Sequence, residues 1–288
     1  MDMTQPTAKL AERAVLVDLT LSRWDAVANN HGVAAEVEDS KQARRGSTQV
    51  RQKLLPGCTP HEYVLTLFGA LRNWHYERTL PWEDRGARLL GAAGVMGYMQ
   101  EFRARRDEIN AALEAFYAVY PVEQAKAQIR LGDLFNPKHY PSVGDIRQKF
   151  GVAIHTSPLP NSDDLRNFKG FTTEEVQEAI DSHETALKDR MLGAVQDMVT
   201  KLREPLEAMA TRLADPDAVF RDTLVGNVAT VLELMPALNI LGDERIDALC
   251  AEARKVIHMP DTLRNNPDLR TETARKAAEL AAELKGWM

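Results

Sequence analysis

Alternation of apolar and polar positions marks the first element. In residues 14–22, AVLVDLTLS, Val15, Val17, Leu19 and Leu21 alternate with Leu16, Asp18, Thr20 and Ser22, which is strand period. Trp24 follows at its exit. A second strand is expected over 152–158, VAIHTSP, and the two together make a two-strand element that needs helical cover. Most of the remaining pattern is helical. Thr59-Pro60-His61-Glu62 offers a cap, a proline for the first helical position and an acid for a capping box. A helix is therefore expected from there to about residue 79, with Tyr63, Leu67, Ala70, Leu71 and Trp74 on one face. Leu80-Pro81-Trp82 breaks the chain, and a helical stretch is expected from about Asp84. It becomes a long helix over 94–119, which Pro121 ends. Shorter helices are expected at 124–131 and at 143–150, the latter capped by Ser142. Residues 29–60 lack clear periodicity apart from a helix at 34–45.

From Thr172 the chain reads as helix almost to its end. An apolar stripe runs from Val176 through Met191, Met198 and Met209 to Leu213, with a kink expected at Pro205. Helices at 217–234, 243–257 and 271–284 follow. The stretch 159–169 is the best linker candidate. The pattern predicts a mainly α (α+β) fold, bundle-like, with the small two-strand element in its N-terminal half. Residues 1–160 form a mixed N-terminal part and 161–288 a helical acidic part, which could pack as one domain.

Composition narrows the classes. With 288 residues, 44% hydrophobic and 27% charged, the chain has the profile of a soluble globular protein. Its two cysteines, Cys58 and Cys250, exclude a disulfide scaffold or Cys-rich zinc site and fit a reducing cytosol. The charge-free run near 89–99 is about half a membrane span. The first residues lack the order of a signal peptide. A net charge of −6 argues at first against nucleic acid. The total hides an asymmetry, however. Residues 1–171 hold 22 Lys and Arg against 20 Asp and Glu; residues 172–288 hold 14 against 22. Within the first part, residues 40–60 contain Lys41, Arg44, Arg45, Arg51 and Lys53 and no acid.

Catalytic signatures are missing. No phosphate-binding GxxxxGK[ST] loop, G-x-S-x-G elbow or H-E-x-x-H pair occurs. The histidines are scattered, so no metal site is expected. The acids Asp163, Asp164, Asp215, Asp217, Asp243 and Glu244 sit at helix starts, where capping explains them. The glycine-rich run 91–97 suits close helix approach better than phosphate binding. No catalytic residue and no cofactor is expected, and the protein reads as non-enzymatic.

The positive signal is binding of single-stranded nucleic acid, which needs cations along a phosphate path and aromatic faces for bases. The acid-free segment supplies Lys41, Arg44, Arg45, Arg51 and Lys53, with Gln42, Ser47, Thr48, Gln49 and Gln52 as further hydrogen-bonding groups. Arg72, Trp74 and Tyr76 lie close together after it, then Trp82. Arg103, Arg105 and Arg106 form a second cluster. Each has a structural alternative. Trp74 also suits a helix core face, and the second cluster also suits a solvated face paired with Glu101, Asp107 and Glu108.

Several stretches carry a resemblance: LVDLTLSRW (16–24), TLPWEDRGARLL (79–90), LGDLFNPKHYPSVGDIRQKFG (131–151), ALNILGDERIDAL (237–249) and LRNNPDLR from 263. They resemble a family of phages and mobile elements long described as of unknown function. Within it, size and charge asymmetry are most similar to the single-stranded-DNA-binding RNA polymerase cofactors of schitovirus podophages. The resemblance implies cooperative, sequence-independent binding of single-stranded DNA, a homo-oligomer and a role in phage transcription in the infected bacterial cytoplasm. It carries over no binding residue. The broad family also implies work beside a MoxR-type AAA+ ATPase, and the apolar stripe at 176–213 carries the alternative reading, an α-helical adaptor that docks a AAA+ ATPase or a polymerase through it. Burial of that stripe in the chain itself would favour nucleic acid; exposure would favour the adaptor.

Overall fold

The computed structural model describes residues 12–83, 86–159 and 172–287. The fold is mainly α with a small antiparallel component. Along the chain run β1 (Ala14–Ser22), β2 (Val27–Asn29), α1 (His31–Ser40), β3 (Arg51–Lys53), α2 (Thr59–Arg78), β4 (Leu80–Pro81) and β5 (Arg88–Gly91). Then come α3 (Val95–Leu131), α4 (Val143–Lys149), β6 (Gly151–Ser157), α5 (Thr173–Ala214), α6 (Thr223–Leu238), α7 (Glu244–Val256), α8 (Pro260–Asn265) and α9 (Pro267–Lys285). Helix starts follow local chemistry. Ser142 accepts from the Asp145 N–H, and Thr172 and Glu175 close a reciprocal capping box before α5. Asp243 and Asn266 cap α7 and α9 in the same way.

Four strands form a sheet in the order β4-β5-β1-β6, and β2 pairs with β3 separately. The neighbours β1 and β6 are the two-strand element expected from alternation. The strand β5 replaces the helix expected after Asp84. It pairs antiparallel with β1, Ala14 opposite Gly91 and Val17 opposite Arg88, which buries Leu89 and Leu90. A run this short carries no period of its own, so the partner strand decides its conformation.

Pro121 does not end the long helix: α3 continues to Leu131. A proline inside a helix costs about 3 kcal/mol, and packing beyond it offsets this. Glu123 and Ala127 are buried, and Arg130 donates to the Pro56 carbonyl at 2.7 Å. The helix expected at 34–45 instead spans α1, and α5 runs through Pro205. The expected linker falls, from residue 160 to 169, outside the described residues.

The chain groups into two compact units that interleave in sequence. Unit I comprises Met1–Asp18, His75–Met99 and His155–Met288; unit II comprises Leu19–Trp74 and Gln100–Ile154. In unit I the stripe of α5 is the core. Leu187, Met191, Met198, Leu202, Leu206, Met209 and Leu213 are buried with residues of α6, α7 and α9. Here also Gly91 and Gly94 bring their backbone against Ala237 of α6, as the small-residue spacing suggests. A Cβ on Gly91 would lie 2.0 Å from the Ala237 carbonyl oxygen. Gly91→Ala is therefore expected to destabilise by about 1–3 kcal/mol. Gly97→Ala, with nothing within 4 Å of its added carbon, should instead stabilise by about 0.5–1 kcal/mol. Urea unfolding of the two variants checks both signs.

Unit II is built on aromatic packing. Phe116 contacts His61, Tyr117, Tyr120 and Phe150, and Phe68 contacts Phe150. The buried His61 hydrogen-bonds through Nε2 to the Trp24 carbonyl at 2.9 Å, which fixes the chain as it leaves β1. Burial holds the His61 imidazole below its ordinary range, so the ring is neutral and Nε2 carries the donated proton.

Candidate nucleic-acid interface

The charge asymmetry is sharper in space than along the chain. Unit II carries 15 Lys and Arg against 12 Asp and Glu, a net of +3; unit I carries 21 against 30, a net of −9. Unit II contains ten of the twelve cations and aromatics proposed from sequence; only Tyr76 and Trp82 belong to unit I.

Residues 27–53 form one module, in which β2 and β3 pair and α1 and residues 41–50 of the acid-free segment lie between them. These strands pair Val27 with Lys53, Ala28 with Gln52 and Asn29 with Arg51. Strand alternation puts Gln52 inward and Arg51 and Lys53 outward together. Gln52 is a structural group, not a ligand contact: its Oε1 accepts from Asn30 at 2.9 Å and its Nε2 donates to the Leu134 carbonyl at 2.8 Å. Between the strands, α1 ends in a pair of nested bonds, Ala43 N–H to Glu38 carbonyl at 2.8 Å and Gln42 N–H to Asp39 carbonyl at 3.1 Å. This is the Schellman arrangement, and it places Gln42 at φ +52° where glycine is usual. Replacing Gln42 by Gly is expected to raise stability by about 1 kcal/mol; thermal or urea unfolding reads it directly.

The cations of this module differ in their freedom. Arg45 donates to Asp39 at 2.7 Å, an exposed pair. Lys41, Arg44, Arg51 and Lys53 are exposed and make no ion pair among the described residues. Arg72 on α2 and Arg103 on α3 are likewise exposed and unpaired among the described residues. Lys138 and Lys149 share this state. Sequence reasoning passed over both, although each lies in a stretch that the resemblance quotes. Arg147 next to them is engaged: both of its terminal nitrogens bind Glu114, at 2.5 and 2.7 Å.

Burial corrects the aromatic half of the expectation. Trp74 is 2% exposed and its Nε1 donates to Glu101 at 2.8 Å. Trp82 is 3% exposed within the unit I core. Neither ring can stack on a base. Both occupy apolar faces that the helix and the strand–loop around them turn inward. Arg105 and Arg106 are half-buried and lie over rings, Arg105 at 5.2 Å from Trp74 and Arg106 at 5.9 Å from Phe102. Arg105 braces the α2–α3 contact, whereas Arg106 packs within α3 on Phe102 and pairs with Asp107. Two exposed tyrosines remain. Tyr76, 46% exposed, lies under the Arg88 guanidinium at 4.6 Å; Tyr63, 50% exposed, donates to Glu108 at 3.2 Å.

No family model, curated protein or solved structure matches the chain. The site therefore stands on its own geometry. Among the described residues no three His, Cys, Asp or Glu side chains are placed to hold a metal ion, and no helix is long and apolar enough to cross a membrane.

Proposed function

We propose that the chain is a non-enzymatic, sequence-independent single-stranded-DNA-binding protein whose phosphate contacts come from unit II. The observation that carries the reading is the group of exposed, unpaired cations Lys41, Arg44, Arg51 and Lys53 on one short module. It lies in a unit of net +3 within a chain of net −6. Cations of this kind meet phosphates and carry no base information, hence sequence independence. With Trp74 and Trp82 buried, stacking reduces to the exposed tyrosines, so electrostatics supplies most of the affinity. A role as cofactor of a phage RNA polymerase, holding template single-stranded, follows from the sequence resemblance.

Against the adaptor alternative stands the burial of most of its stripe, Leu187 to Leu213, in the core of unit I. The acidic helices of unit I repel phosphate and would leave unit II as the face available to DNA.

A mobility shift with fluorescent oligo-dT tests the proposal, with duplex of the same length as competitor. The expected result is a shifted band that duplex displaces less well than unlabelled oligo-dT. Equal displacement by duplex removes the single-strand preference. No shift at low salt removes the function.

A further inference from the structure

Glu38 is 3% exposed, and no cation pairs with it among the described residues. A buried carboxylate persists only when its oxygens are hydrogen-bonded. Here one oxygen, Oε1, accepts from the backbone N–H of Gly46 at 3.1 Å and of Thr48 at 2.8 Å. The Glu38 carbonyl also accepts from Ala43, so a single residue holds the loop at three places. Ser47 closes the tip, its N–H and hydroxyl both donating to the Arg44 carbonyl.

This mode of anchoring has a consequence for the cations. A basic loop can be fixed through its side chains, as Arg147 is fixed on Glu114, and those cations are then occupied. Glu38 fixes this loop through its amides instead. Lys41 and Arg44 stay exposed and unpaired on an ordered backbone.

We propose that Glu38 is the positioning residue of the phosphate-binding loop. Its buried carboxylate orders Gly46 and Thr48 before DNA arrives, so Lys41 and Arg44 bind phosphates without an accompanying loss of loop entropy. Glu38 touches no DNA itself. The inference rests on the nucleic-acid reading above.

The test compares Glu38→Ala and Glu38→Gln by amide hydrogen exchange at Gly46 and Thr48 and by oligo-dT binding across several salt concentrations. In Glu38→Ala, exchange at both amides should rise by about tenfold or more, and affinity should fall by about fivefold or more at every salt. The slope of log K against log salt should stay that of the wild type, because the phosphate contacts are the same in number. Glu38→Gln keeps an acceptor oxygen and should stay within about twofold of wild type in both readouts. Unchanged exchange in Glu38→Ala overturns the proposal. So does faster exchange with wild-type affinity, or a slope flattened as it would be by removing cations. A wild-type chain that does not bind at all overturns the nucleic-acid reading and the positioning role with it, while exchange still decides whether Glu38 orders the loop.

Discussion

Replacing Lys41, Arg44, Arg51 and Lys53 together by alanine should weaken oligo-dT binding by about 10³-fold at about 50 mM salt. Each phosphate contact to a single strand contributes about 0.7 to the slope of log K against log salt. Four lost contacts flatten that slope by about 2.8, and the gap in affinity widens as salt falls. The fold should survive, because all four side chains are exposed and unpaired among the described residues, and such surface changes usually stay within about 0.5 kcal/mol each. Arg105 and Arg106 make the contrast. Their replacement removes guanidinium groups from the faces of Trp74 and Phe102, so it should lower stability and leave the slope nearly intact. Fluorescence titration at several salt concentrations, with circular dichroism for the fold, separates the two cases. A quadruple variant with wild-type slope would place the DNA elsewhere.

Acid should destabilise the protein through His75 well before most carboxylates titrate. His75 is buried in unit I, with Nδ1 2.7 Å from the Tyr98 hydroxyl. Burial, and then the nearby Arg88 charge, lower its pKa to about 4. In the unfolded chain the same imidazole protonates near its ordinary value of about 6.5. Above that value the ring is neutral in both states and contributes nothing to pH dependence. As pH falls below it, the unfolded chain takes up the proton first, and stability drops until the folded ring also protonates near 4. The full loss is up to about 3 kcal/mol. His61, also lowered by burial, adds in the same direction. Urea unfolding of wild type and His75→Gln between pH 7 and pH 4 should give curves that diverge by about this amount. Parallel curves would mean that His75 is not held neutral.

The parts of this molecule that were legible in sequence are those whose cause is local. Alternation in residues 14–22 gave β1 to the residue, and Ser142, Thr172 and Asp243 marked helix starts because a cap acts within one turn. What could not be read depends on distant partners. Leu89 and Leu90 become strand only because β1 lies beside them, and α3 passes Pro121 only because Ala127 and Arg130 find partners beyond it. The site divides likewise. The absence of acid from residues 40–60 was visible and identified the basic module. Glu38 lies just before that window and reads as one more surface acid, since its two amide partners come eight and ten residues later. Trp74 and Trp82 were misplaced for a related reason: an aromatic near arginines suits base stacking and core packing equally well until burial is known.

The salt dependence of oligo-dT binding by the wild-type chain tests the central claim most directly. If Lys41, Arg44, Arg51 and Lys53 each meet a phosphate, log K should fall with log salt at a slope of about −3 or steeper, the same for oligo-dT and a mixed-sequence strand. Absence of binding at about 50 mM salt, or a slope near zero, would contradict it.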